Sequence, residues 1–385
     1  MKPIEFNNYT NIHDKKSLLK LNDIGLPTKQ TEAFRHFNIT KLLSKEYSLD
    51  FKSDFCPYEK DDRFYTIIIN NGVINTIDSD LPTGISFETT NKVQIDTLDS
   101  LYYLGEIFLQ DQQKIIIKKA LDKPLKIVNI FVGEDLFLPT HLTILVEKGV
   151  HVEILEVFDD NALKNSLINI NRVLDIHEHA KLGYTKLQGI KPDNNIIANY
   201  IPHLKKGSTC RASSIDLGAD TSLNMFDLIL NHKKSIFSFD GIIKITNKQK
   251  AGNISSMLHA KGETQSSFVC KHILDVEASA LFEVRSTVNR EAKFSKTFQN
   301  SQTILLDNGP KINAIPQLVL HTDELEAAHG ATSGSLDEEA LYYLMSRGIE
   351  RKVASKILIK AIELQVIETI ENTQIREFAL DFLQR

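Results

Sequence analysis

Between about residue 115 and residue 320 the chain repeats one texture: a short apolar run, a turn signal, then another short apolar run. The runs include Leu142–Val146, Val150–Val157, Phe226–Leu230, Gly241–Ile245, Leu281–Val288 and Thr303–Leu306. The breaks include Lys148-Gly149, Lys206-Gly207, Gly218-Ala219-Asp220, Lys261-Gly262 and Asp307-Asn308-Gly309-Pro310. Many breaks share a degenerate form in which a small residue leads into an apolar run, as in Gly149-Val150, Ala180-Lys181-Leu182 and Ala280-Leu281-Phe282. Runs this short suit strands, and regular spacing with little helix restricts the fold to a sandwich, a barrel or a solenoid. Without βαβ alternation a Rossmann fold is disfavoured. A solenoid coil packs only on its neighbours, so both ends need caps, and helical segments at the two ends of this chain would serve.

Residues 1–62 read as a polar helical region. Leu18, Leu19 and Leu21 mark one helix; Gly25-Leu26-Pro27-Thr28 breaks it; a second is predicted over Thr31–Leu43 on Phe34, Phe37 and Leu42. Residues 63–325 form the predicted β core, opening with a hairpin over Tyr65–Ile74 whose turn is Asn71-Gly72. A helical insertion is predicted near 97–113, on Leu98, Leu101, Leu104 and Phe108. Residues 326–385 read as a C-terminal helical domain with helices over Leu336–Ser346, about Glu350–Ile370, and Thr373–Leu383. The second carries Val353, Ile357, Leu358, Ala361 and Leu364 on one side. Ser335 to Glu338 fits a capping box, and Arg347-Gly348 supplies a cation and a terminating glycine.

A net charge of −5 argues against a dedicated nucleic-acid binder. The tail has a helix-turn-helix outline, but Asp337, Glu338 and Glu339 at its start would repel phosphate. No apolar run is long enough to cross a bilayer, and no signal-peptide core opens the chain. Cys56, Cys210 and Cys270 lie far apart, which fits a reducing compartment and a cytoplasmic location. Cys210 and Cys270 read as small buried hydrophobes. No P-loop, GxSxG or GxGxxG-plus-helix pattern is present. His141, His151, His177, His179, His232, His259 and His272 are scattered, and His177-Glu178-His179 reads as a polar turn.

His329 is the sharpest candidate, a lone imidazole followed by small residues at the β-to-helix junction. Read alone it is a structural histidine at a strand end or a metal ligand, since imidazole suits iron and zinc. His321 and Glu326 are its nearest candidate partners in sequence. Any site would need ligands from other coils or another chain.

The run His329-Gly330-Ala331-Thr332-Ser333-Gly334, leading into Leu336–Leu344 and Ser346-Arg347-Gly348-Ile349, resembles the C-terminal signature of the SufB/SufD family. Gly25-Leu26-Pro27-Thr28 with Glu32-Ala33-Phe34-Arg35, Phe239-Asp240-Gly241, Gln299–Leu306 and Pro316-Gln317-Leu318 resemble other family segments, in the family's order. Glycine rather than glutamate after the histidine resembles the SufD branch. The resemblance implies a mainly β fold: a right-handed parallel β-helix core flanked by N- and C-terminal α-helical domains. It implies a non-catalytic scaffold subunit for iron–sulfur cluster assembly. Such a subunit pairs with a SufB-like subunit through the β-helix and docks a SufC-like ABC ATPase through the C-terminal helices, here with Leu336, Tyr343, Arg347 and Gly348. It implies that His329 faces a cysteine of the SufB-like partner as a ligand to a transient cluster shared between the subunits, with no cofactor held tightly by this chain alone. Relatives often carry cysteine where this chain has Ala327, so thiolate ligands would come from the partner. A homodimer of the isolated chain is also expected, because exposed β-helix edges pair readily. The competing reading is a β-helix carbohydrate-active enzyme, which needs convergent carboxylates on one face.

Overall fold

The computed structural model describes residues 12–50, 58–90, 95–97, 99–109 and 111–384. Cys56 and Leu98 lie outside the described residues. Successive strands alternate between two sheets from Leu125–Glu134 and Phe137–Val146 up to Lys311–Leu320 and Leu325–Gly334, which are the outermost strands of their sheets. Each pairs in parallel with the strand two positions on, as His151–Lys164 does with Lys181–Gln188. The chain therefore climbs as a parallel β-helix of about eight turns. The predicted hairpin sits at its base: Tyr65–Asn70 pairs antiparallel with Val73–Asn75, and Asn71 and Gly72 take φ of 43° and 86°. Two left-handed residues in succession match the twist of a hairpin, which is why Asn-Gly marks it.

The Lys-Gly breaks have a physical role at the corners. Gly149, His179, Gly207, Glu263 and Phe294 all have positive φ and stand at equivalent corners. Their N–H groups donate to Glu178, Lys206, Lys233, Lys293 and Glu324 carbonyls of the next coil at 3.0, 3.1, 3.2, 2.9 and 2.6 Å. A left-handed residue turns its amide along the stack, and glycine does so without steric cost.

Side chains alternate in and out along each strand. Along Ile236–Ile245, Phe237, Phe239 and Ile243 are buried while Ile236 and Ser238 are not. The inward residues of successive coils stack: Phe239 and Phe268 lie in register with ring centroids 4.3 Å apart, and Phe226 meets Phe268 at 5.4 Å. Burying one such ring contributes about 1.5–3 kcal/mol. One charged pair lies inside: the Arg172 guanidinium is 2.7 Å from Glu156, and both side chains are essentially inaccessible.

The N-terminal helix Lys15–Ile24 is capped by Asp14, whose carboxylate accepts from the Lys16 and Ser17 amides. Leu21 packs with Leu101, Tyr102 and Ile107 of the insertion helix Ser100–Phe108. That helix is anchored by Glu106, whose buried carboxylate lies 2.7 Å from both His141 Nδ1 and Asn171 Nδ2. The helix predicted over Thr31–Leu43 is instead a 3-10 turn, Glu32–Phe34, and a short helix, Thr40–Leu43. Asn38 explains the break, because its side-chain oxygen accepts from the Thr40 amide and offers the backbone a local alternative to helix. The strand stack crosses the boundary predicted at 325/326, since the strand Leu325–Gly334 precedes the first tail helix, Glu338–Ser346. The small residues after His329 lie within that strand and do not begin a loop. The other tail helices, Arg351–Ile367 and Thr373–Phe382, place Val366, Ile367, Ile375 and Phe382 against Leu155, Leu187, Ile215 and Ile242 on the outer face of one sheet.

Candidate functional site

Register fixes where His329 sits. Phe268 pairs with Gln299, and Gln299 with His329, so His329 is the last member of an inward-facing column that runs through Phe239 deeper in the stack. Gln299 is completely buried. His329, one strand further out, is exposed, as are Ala327, Ala331 and Ser333 on the same inward-facing row. Opposite them, the strand Lys311–Leu320 turns Ile312, Ala314, Pro316, Leu318 and Leu320 inward, because their register partners Ala280, Phe282, Val284, Ser286 and Val288 are all buried. None of the residues in these two final strands is buried. The end of the β-helix is therefore open, with an apolar wall on one side and small residues around an imidazole on the other.

Beneath the opening the lumen turns polar. Ser295, Thr297, Gln299, Ser301 and Thr303 are the inward residues of the strand Ser295–Leu305. The Gln299 side-chain nitrogen donates to Ser286 Oγ at 2.6 Å and to the Gln317 carbonyl at 3.1 Å. Its Oε1 is buried with no partner among the described residues. This acceptor stands next to His329 in the column. An imidazole that donates one N–H to such an oxygen keeps its other nitrogen free for a ligand.

Among the described residues, no cysteine lies at this mouth. Cys210 and Cys270 are fully buried, and burial pushes the Cys210 thiol up to about 12 and the Cys270 thiol upward as well, so both stay protonated. Cys270 accepts a hydrogen bond from Asn253 Nδ2 at 3.1 Å in the interior. His321, expected near His329, lies beyond the end of the preceding strand, and Glu326 points outward, 2.8 Å from Lys296 Nζ. The chain thus brings neither to the imidazole on the inward side. His177 and His179 occupy a corner turn, with His179 at φ 60°.

The second exposed surface is the tail. Asp337, not Ser335, caps its first helix, accepting from the Glu339 and Ala340 amides. Gly348 has φ 86°, its N–H donates to Met345 O, and the Ile349 N–H donates to Leu344 O, so the glycine ends the helix by a backbone conformation other residues resist. Tyr343 and Arg347 are one helical turn apart and exposed, with the guanidinium 5.3 Å from the ring centre. Leu336 is half-buried just before the helix. The following helix buries Ala354, Glu363, Val366 and Ile367, while Val353 and Ile357 stay 47% and 42% exposed. With Tyr342 at 75% exposure they leave aromatic and branched side chains in solvent on adjoining helices. The periodicity that singled out Val353 and Ile357 thus marks a stripe facing away from the body.

Among the described residues, no helix is long and apolar enough to cross a membrane. Residues 130–362 match the family described as SUF system FeS cluster assembly, SufBD core domain. The chain is 21% identical to the iron–sulfur cluster assembly protein SufD of Escherichia coli, across 95% of this chain and 90% of that protein. It is 23% identical to a SufBD family iron–sulfur cluster assembly protein of Synechocystis, across 91% and 85% of the two chains. It is 20% identical to SufD of Bacillus subtilis, across 69% and 61%. The matched region runs from the first long strands through the open mouth into the second tail helix, and on this ground the chain belongs to the SufB/SufD family of iron–sulfur cluster assembly proteins, as a SufD-like member.

Proposed function

We propose that this chain is the SufD-like, non-catalytic subunit of a scaffold on which iron–sulfur clusters are assembled. One observation carries the reading: inward-facing residues are buried through the body of the stack, but none is buried in its last coil, where His329 is exposed. A stack that ends on Leu318, Leu320 and the unpaired edges of two strands is incomplete as a monomer surface. A SufB-like subunit placed edge to edge with these strands would bury the apolar wall and bring its own ligands to His329. Ala327 supplies no thiolate, so the cysteine ligands belong to that partner, and the cluster is cargo shared across the seam. Imidazole is a softer-held ligand than thiolate for iron–sulfur clusters, which suits a cluster that must leave. The exposed stripe of Tyr342, Tyr343, Val353 and Ile357, beside Arg347, is the surface for a SufC-like ABC ATPase. In the absence of a partner the same mouth would support a homodimer. Family membership favours this reading over a carbohydrate-active enzyme.

The test is co-expression with a SufB-like and a SufC-like subunit, followed by anaerobic reconstitution and visible absorbance. The three chains are expected to co-purify and to build a cluster. His329→Ala should lower cluster yield while leaving the complex and its unfolding midpoint intact. An unchanged yield from that variant would remove His329 from the ligand set, and failure to co-purify would remove the scaffold reading itself.

A further inference from the structure

On the flank of the β-helix, away from the open mouth, three metal-ligating side chains from distant parts of the chain converge. His151 and Glu153 are alternate residues of the strand His151–Lys164 and point outward, since Val152 and Ile154 between and after them are buried. Glu371 lies in the short connection between the helices Arg351–Ile367 and Thr373–Phe382. One ligand atom from each of the three lies within 4.8 Å of the others. His151 Nε2 is 3.2 Å from Glu153 Oε1. The three border a cavity of about 20 Å³ that is also lined by Gly183, Arg211 and Thr369. That volume holds about one water-sized occupant.

Gly183 makes the cavity. It pairs with Glu153 on one side and Arg211 on the other, and a Cβ at this position would overlap the Glu153 carboxylate. Any other residue would fill the space and push the carboxylate away. Two carboxylates and two cationic side chains, Arg211 and Lys181, border the cavity, and Arg211 is bonded to Glu371.

We propose that His151, Glu153 and Glu371 form a binding site for a zinc-class divalent cation, which fastens the tail helices to the flank of the strand stack. One imidazole and two carboxylates leave a fourth position for water, a donor set that suits Zn²⁺, whereas Mg²⁺ and Ca²⁺ take oxygen ligands. Bonds of about 2.0–2.2 Å draw the ligand atoms to roughly 3.3 Å apart. Rotation of the exposed His151 and Glu371 side chains closes the remaining gap without moving a strand. Arg211 stays on Glu371 as an outer partner that orients it. The site stands on these residues alone and does not depend on the assembly reading.

The experiment uses the full chain, stripped with a chelator and titrated with ZnCl₂ by calorimetry near neutral pH, with Co²⁺ absorbance as a second readout. About one equivalent should bind, and Co²⁺ should show four-coordinate visible bands without a thiolate charge-transfer band. His151→Ala and Glu371→Gln should each weaken binding at least about tenfold. The metal-free variants should keep the parent's circular dichroism, and His329→Ala should bind as the parent does. His151→Ala leaves the Arg211–Glu371 pair in place, so its effect separates a cation site from a plain ion-pair cluster. No saturable binding, binding that survives both substitutions, or binding lost with His329→Ala would overturn the proposal.

Discussion

The coils built on Phe239 and Phe268 and the coil built on Leu318 and His329 use the same alternation and the same parallel register, yet they end in opposite environments. In the middle, each inward residue has a coil above and below it, and Phe239, Phe268 and Phe282 are at most 2% exposed. In the last turn the coil above is missing, and inward-facing Leu320 is 43% exposed. Composition follows. The interior is filled by aromatic rings, then by Ser, Thr and Gln beneath the mouth, then by Ala, Ser and one His at the mouth itself. Burial in a solenoid is a property of position in the stack, so a terminal coil can keep the repeat and still present its inner face to another chain.

The largest expected effect tests the middle. Phe268 is fully buried and stacked on Phe239, so Phe268→Ala removes packing on both faces of the ring and should cost about 3–5 kcal/mol in urea unfolding. Leu320→Ala, at the mouth and 43% exposed, should cost less than about 1 kcal/mol in the same assay, since nearly half of its surface already faces water. Equal costs would mean that the mouth is as well packed as the middle and would end the comparison.

One interior histidine sharpens it through pH. His272 is fully buried, its Nε2 has no partner among the described residues, and burial lowers its pKa to about 4. The unfolded chain protonates this histidine below about 6.5, whereas the folded chain resists until about 4. Its contribution is therefore intact above about pH 6.5 and is lost as pH falls toward 4, at about 1.4 kcal/mol per pH unit. His272→Leu should flatten the fall in unfolding free energy between about pH 7 and about pH 5 by that amount. The same slope in parent and variant would show that the interior around Thr303 is wet.

How much of this was legible depends on the distance over which a signal acts. Local signals came through: Asn71-Gly72 gave the hairpin, Leu101 and Leu104 the insertion helix, and Gly348 the helix stop. Signals with a close competitor misled. Ser335 and Asp337 both suit a helix cap, and the carboxylate two residues later takes the role. Apolar spacing through Val353 and Ile357 identified a helix face but not whether the protein or a partner covers it. His329 stood out through the motif around it. Its companions did not, because Gln299 and Leu318 join it only through a register that a degenerate repeat hides. His151, Glu153 and Glu371 are also joined only by the fold.

A smaller stability effect is expected where the two exposed surfaces are compared with each other. Leu320→Asp at the mouth and Ile357→Asp on the tail should each change the stability of the isolated chain by less than about 1 kcal/mol, as the side chains are already 43% and 42% exposed. In pull-downs, Leu320→Asp should lose the SufB-like subunit, and Ile357→Asp the ATPase alone. Loss of both partners from either variant would show that the surfaces are not separate.

The smallest effect on assembly concerns the column that links interior to mouth. Gln299→Leu removes a buried amide whose oxygen is unpartnered, and Ser286 still accepts from Thr297 at 2.9 Å, so stability should move by less than about 1 kcal/mol. If the Gln299 oxygen orients His329, the substitution should lower cluster yield in the assembled complex by less than His329→Ala does. The double variant should then be no worse than His329→Ala alone, because one residue acts through the other. Additive losses would mean that Gln299 serves the cluster by a separate route. No loss from Gln299→Leu would mean that the partner, rather than the coil beneath, sets the imidazole's orientation.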